Sequence, residues 1–401
     1  MDSSKHSALP LAGASVIDFS HLMPGPWCTQ TLGDLGADVI KVEQKGVGDP
    51  SRFNPPAYRE GSVYFHSVNR NKRSITLDLR DAADRTVLER LLGDADIVVE
   101  SYRPGVAAKL GIDYASAAAL NPRLIYCSLN GYGSEGALAA TPGHDAAVQS
   151  IAGLMHVAPD GVAPMPRIQT GDWSAAAYAT IGILAAYVRQ QASGEGAHIE
   201  TSMYDALMSW SSIALSSALA RKAGFSGEPP LQAFGANPRY STFPTADGKA
   251  VTVCLLEARA WARFCEHIGR PDLAYDETPA DRHTIHPGRT EGFRAAIADF
   301  CSARQRDALA AEASAAGIAI TPVYTPEEAL SSPVAEARGV VQFIDHPHEG
   351  RIPFIVDPLY RSGLSDPKRR PAPRIGEHDA EIRSELGIVR EPATPGRQAH
   401  D

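Results

Sequence analysis

Cysteine is scarce and scattered. Cys28, Cys127, Cys254, Cys265 and Cys301 are odd in number and form no CxxC pair, which excludes a disulfide framework and a zinc ribbon and fits reduced thiols in a cytoplasmic protein. The first strand-to-helix turn, HLMPGPW from His21 to Trp27, lacks the G-x-G-x-x-G fingerprint that cradles a dinucleotide, so NAD is not expected. Basic excess is missing as well: 38 Lys and Arg against 47 Asp and Glu leave a net charge of −9, which argues against nucleic acid as the partner. No apolar run reaches the roughly 20 residues of a membrane span. The most apolar stretch lies between Asp172 and Arg189 and reads as a buried core helix. The opening residues MDSSKHSALPLAG carry no charged-then-apolar signal pattern.

At 401 residues the chain is too long for one ordinary core and suggests two domains. Short β-rich runs at Ala14–Phe19, Asp38–Glu43, Ser74–Leu79, Ile97–Glu100 and Leu124–Leu129 alternate with helical patterns such as Asp81–Gly93. That rhythm predicts an α/β fold with parallel βαβ units in a doubly wound sheet. Ligands of such sheets sit at the carboxyl ends of the strands. From Trp173 to Gln191, apolar residues at 173, 177, 181, 184 and 188 follow the helical period, and a second helix is expected over Tyr204–Ala223. A Gly/Pro-rich segment, 224–238, marks a boundary. Beyond it, a hairpin around Asp247-Gly248 and further helices read as a smaller α+β domain. The division expected is a large domain over 1–223, completed by 330–401, and a small domain over 224–329, with a polar, frayed tail.

His144 and Asp172 stand 28 residues apart, so one loop can aim both at a common cavity. A histidine and a carboxylate facing one carbon serve as acid and base, whereas the same aspartate beside a thioester can act as a nucleophile. Asp172 reads as the N-cap of the long helix, whose dipole would keep it anionic. Asn69-Arg70-Asn71-Lys72-Arg73 is the densest basic run. It is either a solvated loop or an anchor for a phosphate-bearing ligand, and in an acidic protein the anchor is preferred. Leu129–Gly136, LNGYGSEG, follows a strand and would let backbone N–H groups approach a ligand oxygen.

Taken in order, the segments from Leu11 to Glu43, NRNKRSITLDLR, NPRLIYCSLNGYG, PGHDAAVQSIAG, GDWSAAAYATIGILAAY, SGEGAHIETSMYDA and PAPRIGEHDAEI resemble the family III CoA-transferases (CaiB/BaiF). That superfamily also holds the α-methylacyl-CoA racemases. The resemblance spans nearly the whole chain. It implies a Rossmann-like large domain, a smaller α+β domain and two interlocked chains in a homodimer. It also implies an acyl-CoA substrate, with coenzyme A as part of it, and no redox or metal cofactor.

Asp172 falls on the family's essential aspartate, which forms a mixed anhydride and then an aspartyl-CoA thioester in transferases. In racemases it is one of two acid/base groups. The triplet Gly143-His144-Asp145 and Glu257, expected to support the histidine, resemble the racemase branch; the loop FGANPRY and the residues after Asp172 resemble the transferases. Racemisation of a 2-methylacyl-CoA by His144 and Asp172, with Asp145 and Glu257 in the catalytic set, is therefore the leading expectation. CoA transfer through Asp172 is the alternative, and a silent CoA-binding protein the second alternative. Gln44 stands where the racemases have an arginine for CoA. The CoA contacts are accordingly expected from Lys41, Arg70, Lys72 and Arg73, from Leu77, Asp78, Leu79 and Arg80, and from Asn130, Gly131 and Gly143.

Overall fold

Six short apolar runs pair into one sheet. In a computed structural model, which describes residues 9–155, 165–227, 237–275, 286 and 288–388, the strands are β1 (Ser15–Asp18), β2 (Asp38–Gln44), β3 (Lys72–Leu77), β4 (Ile97–Glu100), β5 (Ile125–Asn130) and β6 (Ala197–Ser202). Every pair is parallel, and the order is β3-β2-β1-β4-β5-β6. Val16 pairs with Val39 on one side and Ile97 on the other; all three are fully buried, as strands covered on both faces must be. The chain reverses direction across the sheet between β1 and β4, and such switch points open a crevice at the strand ends.

One face of the sheet packs on α1 (Pro24–Asp34), α6 (Asp145–Ile151), α7 (Thr170–Ser193) and α8 (Met203–Trp210); the other packs on α3 (Ala82–Asp94) and α5 (Tyr114–Leu120). A single-turn helix, α2 (Val63–Val68), precedes β3, and α4 (Val106–Leu110) follows β4. The buried side of α7 is not the stripe that its periodicity suggested. Ala175, Ala176, Ala179, Ile183 and Ala186 face the core, while Ile181 and Val188 are 58% and 72% exposed. The helix is apolar all round, so period alone could not choose the face. The expected helix over 204–223 is two: α8 and α9 (Ser216–Lys222).

The last described segment is stitched to the first half of the sheet. Asn71 Nδ2 donates to the Asp366 carbonyl (2.8 Å), Thr76 N to Asp379 (2.7 Å), and Arg73 to Glu381 and Glu385 on the helix Asp379–Glu385. A hairpin of β10 (Val341–His346) and β11 (Gly350–Ile355) belongs to the same body.

The chain divides into two compact units: the described residues up to Ser211 with those from Gly339 onward, and those of 212–338. Residues 212–223 and 330–338, placed with the large domain on sequence, thus group with the smaller unit. That unit has a three-stranded antiparallel sheet in the order β7 (Tyr240–Pro244), β8 (Ala250–Cys254), β9 (Ile320–Pro322). Gly248 turns the β7–β8 hairpin at φ +73°. The helices α10 (Ala258–His267), α11 (Thr290–Ser302) and α12 (Arg306–Ala315) bury Trp261, Phe264, Phe293 and Ile297 against it. The tail 389–401, part of the expected boundary segment (228–236) and part of the loop between His144 and Asp172 (156–164) lie outside the described residues.

Candidate active site

A cavity of about 360 Å³ opens at the switch point. Its wall comes from the loop after β1 (His21, Leu22, Pro24), the loop after β4 (Ser101 to Pro104), the end of β5 with its glycine turn (Leu129 to Gly131), and the start of α6 (Gly143 to Asp145). Asp172 on α7 and Tyr64 on α2 also line it, with Asn54, Ala139, Thr141 and Met203. Leu22 takes the left-handed φ of +62°, a conformation an aliphatic residue adopts only under constraint. Here the Leu22 N–H donates to Asp49 (3.2 Å) and the His21 N–H to Ser101 (3.0 Å).

His144, Asp145 and Asp172 do converge on this wall, together with Asn130, Gly131 and Gly143. The two glycines touch: a Cβ built on Gly131 would lie 2.8 Å from the Cα of Gly143, closer than real Cβ contacts allow. They therefore join the LNGYG turn to the Gly-His-Asp turn. Asn130 is turned inward to its own loop, accepting the Gly133 N–H at 2.5 Å. His144 precedes α6 with its side chain exposed and without a hydrogen bond among the described residues.

Asp172 is not the N-cap. The helix begins at Thr170, so Asp172 is its third residue, and the cap is supplied from another element. Asp145 Oδ1 accepts the backbone N–H groups of Gly171 (2.7 Å) and Asp172 (3.2 Å), and its Oδ2 accepts from Gln149 Nε2 (2.6 Å). Gly171 is needed for that approach, because a Cβ there would sit 2.9 Å from Asp145 Oδ1. The charge state expected of Asp172 is also overturned. Burial, reinforced by the Asp145 charge, raises its pKa from 3.8 to about 7. Desolvation outweighs the helix dipole at this depth. The Tyr64 hydroxyl is pushed up to about 12 by burial and by Asp172.

The basic run is not presented at this cavity as an anchor would be. β3 begins at Lys72, which draws the cluster into the core, where each charge is matched. Lys72 Nζ donates to Asp18 (2.9 Å), Asn69 and the Pro26 carbonyl; burial lowers its pKa to about 8 against the pull of Asp18. Lys41 is fully buried and pairs with Asp49 at 2.9 Å. Burial opposes its charge, yet Asp49 and Asp18 outweigh it and raise its pKa. Arg70 lies 3.6 Å from Asp34, and Arg73 is held by Asp38, Glu381 and Glu385. Leu77 and Leu79 pack into the core around β3, and Asp78 and Arg80 form an exposed pair at 2.9 Å. None of these lines the cavity.

The cation that does line it was missed: Arg103, exposed and with no ion-pair partner among the described residues. Its signal was its place three residues after β4, in a segment already expected to meet ligand. Glu257 belongs to the second unit, as the residue before α10. Among the described residues no group of three or more His, Cys, Asp or Glu could hold a metal, and no helix is long and apolar enough to cross a membrane.

The model of CoA-transferase family III matches residues 11–379. The chain belongs to this family. Among curated relatives, the succinate–glutarate CoA-transferase of Agrobacterium fabrum is 32% identical, the match covering 96% of this chain and 98% of that protein. The acetyl-CoA:oxalate CoA-transferase of Acetobacter aceti is 33% identical, over 94% and 96%. A crystal structure of a CaiB/BaiF family protein from Brucella suis superposes with a TM-score of 0.79 at 31% identity, covering 95% of this chain and all of that one.

Proposed function

We propose that the protein transfers CoA between carboxylic acids, with Asp172 as nucleophile. The observation that carries this reading is the Asp172 carboxyl itself. It lines the switch-point cavity with no side-chain hydrogen bond or cation partner among the described residues, and burial lifts it to about 7. A desolvated carboxylate of raised basicity is a stronger nucleophile than one in water, and half of it is ionised near neutral pH. The two curated relatives named above are CoA-transferases, and each name includes at least one dicarboxylic acid. They favour transfer over the racemisation that the Gly143-His144-Asp145 triplet suggested, and they point to dicarboxylates as substrates.

In balanced form, an Asp172 oxygen attacks the thioester carbonyl, the C–S bond breaks and CoA leaves as thiolate. The thiolate then attacks the Asp172 carbonyl of the mixed anhydride, releasing the first acid and leaving an aspartyl-CoA thioester. The acceptor carboxylate attacks that thioester, and the returning thiolate takes its acyl group, regenerating Asp172. Arg103 lines the wall without an ion-pair partner among the described residues and suits an anionic group of either substrate. His144 is a supporting group beside the reacting carbons.

The exposed apolar side of α7, with Ile181 and Val188, and Trp210 at the end of α8 supports assembly with a second copy as the interlocked homodimer of the family. Acyl-CoA with hydroxylamine tests the chemistry. Transfer predicts inactivation and a hydroxamate on Asp172. Exchange of the substrate α-proton in deuterated water, with no adduct at Asp172, would return the reading to racemisation; neither adduct nor exchange would leave a CoA-binding protein.

A further inference from the structure

The site holds two carboxylates where the chemistry uses one. Asp145 is buried, 9% exposed, and its three close contacts leave little of it to meet a substrate. Oδ1 takes the Gly171 and Asp172 N–H groups and Oδ2 takes Gln149; Gln149 Nε2 also donates to the Ile168 carbonyl at 3.0 Å. An uncharged acceptor could also take these two N–H groups, as asparagine and serine do from the N-cap position of other helices. A negative charge at this point has a cost, because one of the two residues whose N–H groups it accepts, Asp172, carries a second carboxyl. The group retained is thus more than capping requires.

We propose that Asp145 is the positioning residue of Asp172: its Oδ1 fixes the backbone that carries the nucleophile, and its charge sets the pH at which that nucleophile becomes available. This deepens the transferase reading and rests on it for its functional meaning. The other titratable groups around Asp172 do not supply the same control. Tyr64 on α2 stays neutral with its hydroxyl pushed up to about 12. His144 from the turn before α6, His21 from the loop after β1 and Arg103 from the loop after β4 share the cavity wall. Of all these, Asp145 is the charge that acts on Asp172 beyond burial. A like charge held against the backbone of the same residue makes the carboxyl a weaker acid, hence a more basic nucleophile once ionised.

The test separates cap from charge. Asp145→Asn keeps the Oδ1 acceptor and removes the charge; since its new amide would face the Gln149 donor, it is made alone and together with Gln149→Leu. Asp172 ionisation is followed directly by infrared difference titration against Asp172→Asn, alongside the pH profile of kcat/KM for CoA transfer. We expect the midpoint of Asp172, and with it the acid limb of the profile, to move down by at least about half a pH unit. Thermal melts establish that each variant is folded. A folded variant whose midpoint stays at the wild-type value overturns the proposal and leaves Asp145 a plain cap. If no CoA transfer occurs in the wild type but the midpoint still moves, the transferase reading fails while the coupling of the two carboxyls stands.

Discussion

Gly131 and Gly143 meet backbone to backbone. A Cβ on Gly143 would lie 2.7 Å from the Cα of Gly131, and one on Gly131 would lie 2.8 Å from the Cα of Gly143. The neighbour is main chain on both sides, so nothing flexible can yield. The contact fixes how the turn bearing His144 and Asp145 sits against the end of β5. Gly143→Ala is expected to displace that turn and lower kcat by about 10²-fold, the cost of an ångström of misplacement at a reacting centre. Stability should change far less, because Gly143 is only half-buried. Steady-state kinetics beside a thermal melt checks the pair of outcomes.

Asp172 should show its environment in the stability curve. Its folded-state pKa is raised from 3.8 to about 7 by burial and by Asp145. Between those values the unfolded chain holds fewer protons at this position than the folded one, so stability falls as pH rises from about 4 to about 7. Asp172→Asn cannot ionise and should lack that slope. Urea unfolding is expected to find it more stable than wild type at pH 8, by on the order of 2 kcal/mol, with the difference vanishing near pH 4.

The buried lysines and the cavity arginine should respond in opposite ways. Lys72→Met strands the Asp18 carboxylate, leaving Lys41 at 3.9 Å as its other cation; a loss of about 3–5 kcal/mol of stability is expected. Arg103→Ala removes no internal pair, so the fold should hold while KM for one substrate rises about tenfold or more. A Lys72 variant with wild-type stability and a raised KM would restore the basic run as a ligand anchor.

Nucleophile and helper separate by mutation. Asp172→Asn should bring CoA transfer to background. His144→Ala is expected to keep transfer within about 10²-fold of wild type, the scale of an assisting acid or base, and to leave hydroxylamine trapping at Asp172 intact. Loss of trapping in a folded His144→Ala would make the histidine an obligatory partner in the chemistry.

The strands were legible because each is a short β-branched run between turn signals, and their rhythm carried the parallel sheet and the ligand end of it. What the sequence hid was burial. Lys72 and Arg73 look like a solvated or phosphate-facing run, and their acidic partners are Asp18, Asp38, Glu381 and Glu385. Those lie 35 to 312 residues away, beyond any local pattern. The place of Asp172 near the start of the long helix was legible to within a turn, whereas its charge was not, since desolvation does not read from the sequence. Arg103 was passed over because a lone arginine in a loop carries no signal until the sheet order puts its loop at the switch point.

Arg73 waits for its partners. Glu381 and Glu385 are made 308 and 312 residues after it, Asp379 is made 303 residues after Thr76 and Arg383 is made 299 after Asp84. On the ribosome, the edge of the sheet at β3 is therefore synthesised long before the helix that neutralises it emerges. Closing the large unit therefore joins segments separated by some 300 residues, the slow kind of contact to form. A chain stopped short of residue 379 would carry an arginine with one of its three carboxylate partners, Asp38, and an open strand edge, a form for chaperones and proteases to deal with.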